Sequence, residues 1–286
     1  MGPQRVDELP AARELFERAD EILGYELTKI CFEGPADTIN ATEHSQPALL
    51  LTSMAALEWL KQNEPELIEQ CDRAAGLSLG EYTAMVFAGA LTFEDGLKLV
   101  RERGLAMQAA ADAQPSGMVS ILGMEADKVY ELCDAARQAD EILQIANYLC
   151  PGNIVVSGHQ ASCEKAAELA TDHGAMKAIP LAVAGAFHTT IMQPARERLL
   201  DALSAVEIQP PRIPVTSNVD AEAHNDPDDI RSILVQQVCA PVQWHESMNR
   251  LLASGTEKFV EVGTGRVLRG LMKRIDRKVK SRGVNE

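Results

Sequence analysis

A serine flanked by two glycines is the feature of this 286-residue sequence best suited to do chemistry. Residues 76–80 read GLSLG and match the pattern G-x-S-x-G, in which a short strand, here expected at 71–75, turns sharply into a helix and presents a serine hydroxyl at the bend. The glycines remove side chains that would clash there, and the backbone N–H of Leu79 would point toward an oxyanion formed on an attacked carbonyl. The pattern predicts a nucleophile at Ser78, although the motif alone fits a glycine-rich helix entry with an idle serine equally well.

A serine nucleophile needs a general base, and among the six histidines we select His188. It ends an apolar stretch of mostly small residues, 184–187, and stands where the chain would return to its main sheet after a small inserted unit. His173 and His224 lie in polar segments, and His159 follows a turn. A lone histidine among apolar neighbours is more often a packing residue, so its role as a base is a hypothesis.

The elements that must position these residues alternate between helices and strands. Apolar residues at helical spacing predict helices, and short apolar runs predict buried strands. We expect helices over 10–23, 47–61 and 92–111, with Pro47 in the first turn of the second, and buried strands over 213–217 and 258–262. Thr92 and Asp95 have the spacing of a capping box.

The middle of the chain predicts a small subdomain of its own. From residue 115 to residue 184 the expected order is strand, helix, strand, strand, helix, strand, which is the order of a ferredoxin-like unit. The strands are expected at 118–122, 143–146, 154–157 and 176–179, and the helices at 126–137 and 161–173.

The composition excludes several classes of function. Hydrophobic residues make up 46% and charged residues 24% of the chain, as in a folded protein. The 27 basic and 42 acidic residues give a net charge of −15, so we expect no nucleic-acid binding. The six cysteines form no CxxC pair, so we expect no metal site and interpret them as small buried side chains in a reducing compartment. No apolar run reaches the length of a membrane span, and we expect no membrane association.

The C-terminal segment reverses the acidic trend. Between Arg266 and Arg282 eight basic residues stand against Asp276 alone, which is a net charge of +7. A solvated helix and tail is the simpler interpretation. A docking surface for an acidic partner is the alternative.

Four separated segments of the sequence resemble the malonyl-CoA:acyl carrier protein transacylases. They are 76–84 (GLSLGEYTA), 183–189 (VAGAFHT), 237–244 (QVCAPVQW) and 261–271 (EVGTGRVLRGL), and the resemblance covers nearly the whole chain. The segment 144–153 (QIANYLCPGN) is most similar to plant-plastid and related bacterial members.

The resemblance implies an α/β fold. An α/β-hydrolase-like large subdomain, residues 1–114 and 185–286, would carry an inserted ferredoxin-like small subdomain, residues 115–184. The implied activity is transfer of a malonyl group from malonyl-CoA to the phosphopantetheine thiol of acyl carrier protein, for fatty acid synthesis.

The resemblance also implies roles for the reacting groups. Ser78 would carry the acyl group, and His188 would serve as its general base and then as the acid for the departing thiol. The N–H of Leu79 would stabilise the oxyanion. Gln237 matches a position whose backbone carbonyl orients the histidine, in place of the usual aspartate.

Two further positions would recognise the substrate. Arg103 follows Ser78 by 25 positions and matches the arginine that grips the malonyl carboxylate, for which a planar guanidinium with two parallel hydrogen bonds is well suited. Gln46 matches a glutamine that lines the pocket. Phe187 is the residue associated with malonyl rather than branched acyl groups.

The N-terminus departs from the family pattern. Family members begin with a buried strand and a G-Q-G-x-Q loop, whose glutamine N–H is the second oxyanion donor. This sequence begins MGPQRVDEL, and we transfer no role to Gln4. We expect a truncated sequence or an impaired protein, because losing one oxyanion donor costs on the order of a hundredfold in rate. Losing a core strand would also expose a sheet edge and apolar surface.

Malonyl-CoA and acyl carrier protein are therefore the expected partners. We expect a monomer without a cofactor, located in the bacterial cytoplasm or the plastid stroma. A serine hydrolase or thioesterase with the same nucleophile is one alternative, and it would need an acidic partner between Ser78 and His188 in the chain. A carrier-protein-binding module that lost activity with its N-terminus is another.

Overall fold

A computed structural model describes residues 9–284 of the chain. Gln4 and the unusual N-terminal sequence lie outside the described residues. In chain order the elements are α1 (Pro10–Leu23), α2 (Leu27–Glu33), α3 (Ala36–Asn40), α4 (Thr42–Asn63), α5 (Pro65–Glu69), β1 (Ala74–Ala75), α6 (Leu79–Phe87), α7 (Phe93–Asp112), β2 (Ser116–Leu122), α8 (Ala126–Ala136), β3 (Leu143–Cys150), β4 (Asn153–His159), α9 (Gln160–Leu169), β5 (Lys177–Pro180), a 3₁₀ turn (Thr190–Met192), α10 (Gln193–Ser204), β6 (Val215–Thr216), α11 (Pro227–Gln237), α12 (Trp244–Ala253), β7 (Lys258–Glu261), α13 (Val267–Ile275) and β8 (Lys280–Gly283).

Local signals predict the ends of two helices correctly. α1 ends at Leu23 because Gly24 adopts a left-handed conformation, with φ of 74°, and its N–H donates to the Asp20 carbonyl. α7 begins after Thr92, whose hydroxyl accepts the Asp95 N–H at 3.0 Å, as the capping pattern predicts.

The predicted start of α4 is wrong. The helix begins at Thr42, five residues before Pro47, so the proline lies inside it rather than in its first turn. Proline removes one N–H donor and crowds the preceding turn, but the helix packs along α1 and α7, burying Leu50, Leu51 and Ala55. This burial offsets the lost hydrogen bond.

The middle of the chain forms a four-stranded antiparallel sheet. The strand order is β3-β4-β2-β5, and its core is packed by α8 and α9, with Val119, Ile121 and Val156 buried. The observed order of strands and helices is the one predicted for residues 115–184. The assignment of residues 115–184 and of the remainder to two subdomains stays a prediction.

The remaining strands are short and parallel. β1 pairs with β6 through Ala74 and Val215, and β7 pairs with β8 through Phe259 and Ser281. β1 spans two residues where the sequence predicts five, because only Ala74 and Ala75 pair with β6. The larger core lies among α1, α4, α6, α7, α10 and α11. The fold is α/β, as expected.

The edges of β1 and β7 border one cavity of about 540 Å³. Within residues 9–284, each of these strands pairs with a strand on one side only. Apolar side chains such as Leu57, Leu60 and Phe259 line the cavity.

Two further features of residues 9–284 bear on the sequence predictions, namely the character of the helices and the state of the cysteines. None of its helices combines the length and the apolar character needed to cross a membrane. All six cysteines are free, and Cys133, Cys150 and Cys163 are buried as predicted, whereas Cys31, Cys71 and Cys239 are partly exposed.

Candidate active site

Ser78 lies at a strained bend between β1 and α6. Its φ of 49° and ψ of −103° place it at positive φ, where residues other than glycine are rarely found. A Cβ on Gly76 would stand 1.9 Å from the Gly80 carbonyl carbon, so this bend requires glycine at position 76. A Cβ on Gly80 would meet nothing within 4 Å, and the prediction that both glycines avoid clashes is wrong for Gly80.

Asn218, two residues after β6, holds the bend from both sides. Its Oδ1 accepts the Ser78 N–H at 2.6 Å, and its Nδ2 donates to the Gly76 carbonyl at 2.7 Å. One side-chain amide therefore supplies the complementary partners that this strained backbone needs. Sequence reasoning missed Asn218, for which the signal was a polar residue directly after the buried strand predicted at 213–217.

His188 faces Ser78 in the geometry of a serine and its base. Its Nε2 lies 2.9 Å from Ser78 Oγ, and its Nδ1 lies 2.9 Å from the main-chain carbonyl of Gln237. A carbonyl oxygen can only accept, so Nδ1 must carry the hydrogen and Nε2 must accept the serine proton. His188 itself sits at φ of 62°, and its N–H donates to the Val238 carbonyl at 3.1 Å.

The environment of His188 keeps the imidazole neutral. Burial, together with the positive charge of Arg103, lowers its pKa to about 4. The hydrogen bond to Gln237 acts the other way. A neutral imidazole can accept a proton at neutral pH and returns it readily once protonated.

Arg103 is buried beside the serine, with 2% of its surface exposed. Nη1 donates to Gln46 Oε1 at 2.6 Å, and Nη2 donates to Ser78 Oγ at 2.9 Å and to Gln237 Oε1 at 3.0 Å. The guanidinium also lies 5.6 Å from the centre of the Tyr82 ring. Its hydrogen-bond partners are therefore neutral groups, and burial lowers its pKa from the usual value.

A close contact between two helices places Arg103 at this depth. Gly104 on α7 faces the main chain of α4, and a Cβ there would stand 2.6 Å from the Thr42 carbonyl oxygen. The missing side chain lets α7 approach α4, so that Gln46 of α4 reaches the guanidinium. Its burial shows that Arg103 is not a surface residue of α7 exposed to solvent.

Glu81 is a buried carboxyl group beneath the site, and sequence reasoning missed it. Its Oε2 accepts Gln237 Nε2 at 2.7 Å and the Asn218 N–H at 3.1 Å. Burial raises its pKa to about 7. The signal was an acidic residue among the apolar residues of a helix, three positions after Ser78.

Leu79 is the first residue of α6. The first N–H groups of a helix have no acceptor within the helix, so this donor is available beside Ser78. Its use for an oxyanion stays a prediction.

The structure brings Ser78, His188, Arg103, Gln46 and Gln237 into one hydrogen-bonded cluster. Within residues 9–284 no group of three or more side chains could hold a metal ion. This arrangement suits attack of the Ser78 hydroxyl on the carbonyl group of a substrate. His188 would take the proton, and Arg103 would bind a negative charge elsewhere on the same substrate.

Comparisons with known proteins agree with this chemistry. A family model described as acyl transferase domain matches residues 1–281. The chain is 42% identical to a Bacillus subtilis protein named malonyl CoA-acyl carrier protein transacylase, over all of this chain and 89% of that protein. It is 40% identical to the human mitochondrial malonyl-CoA-acyl carrier protein transacylase, over 92% of this chain and 70% of that protein.

Solved structures are similar over the same extent. An acyl-carrier-protein-S-malonyltransferase from Bartonella henselae has a TM-score of 0.95 and 37% identity, covering 100% of this chain and 91% of that chain. A malonyl-transacylase solved in complex with a type II PKS acyl-carrier protein has a TM-score of 0.93 and 33% identity, covering 98% of this chain and 90% of that chain.

Proposed function

The chain belongs to the acyl transferase domain family, and we propose that it transfers a malonyl group from malonyl-CoA to the phosphopantetheine thiol of an acyl carrier protein, through an ester on Ser78. This transfer supplies fatty acid synthesis. One observation carries the assignment of residues: Ser78 Oγ lies 2.9 Å from His188 Nε2 and 2.9 Å from Arg103 Nη2. The nucleophile thus stands between a base and a cation that suits the free carboxylate of a malonyl group.

The first half-reaction loads the enzyme. His188 Nε2 takes the proton of Ser78 as Oγ attacks the thioester carbonyl, and the N–H of Leu79 donates to the oxyanion. The carbon–sulfur bond then breaks, and His188 returns the proton to the departing coenzyme A thiol. The malonyl group is left as an ester on Ser78.

The second half-reaction runs the same steps toward a new acceptor. His188 removes the proton from the phosphopantetheine thiol, whose sulfur attacks the ester carbonyl. The ester bond to Ser78 breaks, and Oγ recovers its proton from His188. The Gln237 carbonyl keeps the imidazole in the required tautomer through both halves, with Nδ1 as a donor.

Arg103 accounts for the choice of acyl group. The malonyl carboxylate is one methylene from the carbonyl under attack, and the guanidinium already contacts the attacking oxygen. The hydrogen-bond acceptors of Arg103, on Gln46, Gln237 and Ser78, are all neutral, so a substrate carboxylate would be the first anion in direct hydrogen-bond contact with this buried cation. An acetyl group offers no such partner.

The orientation of His188 disfavours the hydrolase alternative. A hydrolase of this elbow type needs an acidic partner between Ser78 and His188 in the chain. Here the partner of Nδ1 is a carbonyl of Gln237, which follows His188 in the chain. We therefore assign transfer rather than hydrolysis.

The basic C-terminal segment is our candidate docking surface for the acidic carrier. Arg269 and Arg282 form ion pairs with Glu261 and Glu64, which leaves six exposed basic residues: Arg266, Lys273, Arg274, Arg277, Lys278 and Lys280. The buried face of α13 joins the apolar cluster that includes Leu77, the residue before the nucleophile. This surface is therefore near the site that the carrier thiol must reach. We further propose that the enzyme is located where fatty acid synthesis takes place, in the bacterial cytoplasm or the plastid stroma.

Mass spectrometry of the acyl-enzyme tests the assignment. Incubation with malonyl-CoA should add one malonyl group to the peptide that contains Ser78, and addition of phosphopantetheinylated carrier protein should remove it. The Ser78→Ala variant should remain unlabelled. Label on another residue, or none on correctly folded protein, would refute the proposal.

A further inference from the structure

Glu81 is a buried carboxyl group that the reaction steps above do not use. It lies on α6 with no exposed surface, and its Oε2 accepts two hydrogen bonds, from Gln237 Nε2 and from the Asn218 N–H. Oε1 has no hydrogen-bond partner among residues 9–284. Both partners of Oε2 hold reacting groups, and this double contact is the basis of the inference.

Gln237, the first partner of Glu81, contacts both the base His188 and the cation Arg103. Its main-chain carbonyl accepts His188 Nδ1 at 2.9 Å, and its Oε1 accepts Arg103 Nη2 at 3.0 Å. Its Nε2 donates to Glu81 and, at 3.0 Å, to the Ser78 carbonyl. Two acceptors on Nε2 fix which end of the amide faces Arg103, because an amide nitrogen cannot accept a hydrogen bond there.

Asn218, the second partner of Glu81, contacts the nucleophile Ser78. Glu81 accepts the main-chain N–H of Asn218. The Asn218 side chain in turn binds the Ser78 N–H and the Gly76 carbonyl. The bend at Ser78 is strained and depends on such partners to persist. Glu81 thereby connects the bend to Gln237, the residue whose main-chain carbonyl orients His188.

We propose that Glu81 is a positioning residue, whose Oε2 ties Gln237 to Asn218 and so holds Ser78, His188 and Arg103 in mutual register. The proposal rests on the proposed function of these three residues. Without the acceptor, two buried donors lose their partner and the Gln237 side chain loses one of its anchors. Small displacements of reacting groups have large effects on rate, so the loss should fall on catalysis.

The acceptor, rather than the negative charge, is what this geometry uses. A glutamine at position 81 keeps an oxygen that can accept from Gln237 and Asn218, whereas a leucine of similar size keeps none. The two variants therefore separate positioning from electrostatics. They also separate positioning from packing, because both fill the buried space.

The test compares Glu81→Gln with Glu81→Leu in rapid-quench malonylation of Ser78, with melting temperatures measured alongside. We expect Glu81→Leu to lower the rate constant of malonylation on the order of a hundredfold, with the KM for malonyl-CoA changed less than about threefold. Glu81→Gln should stay within about fivefold of the wild-type rate. If the leucine variant does not fold, Glu81→Met fills the same space with a flexible apolar side chain and has the same expected result.

Glu261 provides the matched control. It is a carboxyl group outside the hydrogen-bonded cluster of Ser78, His188 and Arg103, and it accepts the N–H groups of Leu268 and Arg269, at 2.8 and 3.2 Å. Glu261→Gln and Glu261→Leu should lower the melting temperature and leave the malonylation rate constant near wild type.

Three outcomes are decisive. A leucine variant as fast as wild type would overturn the positioning role, and so would a glutamine variant as slow as the leucine variant, since charge would then be the cause. Either result leaves the proposed function standing, provided that wild-type Ser78 is labelled. Unlabelled wild-type protein would instead be the failure of the proposed function.

Discussion

The guanidinium of Arg103 donates a hydrogen bond to the hydroxyl of Ser78 at 2.9 Å, and within residues 9–284 it forms no salt bridge. A buried cation without a counter-charge is costly unless it is well hydrogen-bonded, and Gln46 and Gln237 supply the neutral acceptors here. This arrangement keeps the positive charge available beside the nucleophile. Under the proposed function, a substrate that carries its own carboxylate would complete the site.

Replacing Arg103 should change which thioester is used. For Arg103→Ala we expect kcat/KM for malonyl-CoA to fall on the order of a hundredfold or more, because a charge-assisted contact is lost, while acetyl-CoA use stays constant or rises. Arg103→Lys should restore little, since an ammonium cannot form two parallel hydrogen bonds with a carboxylate. Steady-state assays with both thioesters measure this. An equal loss of kcat/KM for malonyl-CoA and acetyl-CoA would show that Arg103 does not bind the malonyl carboxylate.

Placing a carboxylate at position 237 should block the arginine directly. Oε1 of Gln237 lies 3.0 Å from Arg103 Nη2, so Gln237→Glu would form an ion pair with the guanidinium. We expect malonyl-CoA use to fall about tenfold or more relative to acetyl-CoA. Gln236→Glu, which adds the same charge at the exposed neighbouring position, should leave the ratio unchanged. A constant ratio in both variants would contradict this prediction.

The pH dependence of malonylation should lack a transition near the usual pKa of histidine. Burial, with help from Arg103, lowers the pKa of His188 to about 4, and only the neutral form can act as base. The kcat/KM for malonyl-CoA should therefore be constant from about pH 5 upward and fall as pH drops through about 4. In Arg103→Ala one cause of the lowered pKa is gone, so the fall should begin at higher pH. Rapid-quench labelling across this range checks both profiles, and a wild-type transition near pH 6.5 would argue against them.

The two glycines of the elbow should respond differently to the same substitution. Gly76→Ala forces a Cβ within 1.9 Å of the Gly80 carbonyl carbon, and we expect a loss of about 2 kcal/mol or more in the free energy of unfolding, together with loss of Ser78 labelling. Gly80→Ala meets open space, and it should be tolerated or slightly stabilising inside α6. Denaturant unfolding and labelling of the two variants form the comparison. Equal effects would mean that the bend is not as tight as described.

Local patterns predicted the parts of this fold that depend on near neighbours. Apolar spacing and a capping threonine located α7, and the left-handed glycine ended α1. The start of α4 was missed because packing against other helices outweighs the local cost of Pro47. The two-residue length of β1 was missed for a related reason, since strand pairing with β6 sets it rather than the apolar run.

The candidate site divides in the same way. Motif and order predicted Ser78 and His188, and the family resemblance supplied Arg103, Gln46 and Gln237. Neither pointed to Asn218 or Glu81. Their hydrogen bonds within the site join residues that are 137 to 156 positions apart in the chain. No spacing within a short window carries that information.

The sequence by itself determined the nucleophile and its base, the order of the elements in residues 115–184 and, through the family resemblance, the class of chemistry, because these follow from residue types, motifs and short periodic patterns. The tertiary structure alone decided that the arginine is buried without a salt bridge, that Asn218 holds the bend at Ser78, and that one acidic side chain accepts hydrogen bonds from both Gln237 and Asn218. These are properties of burial and of hydrogen-bond partners distant in the chain, and they exist only once packing has excluded water and brought the partners together.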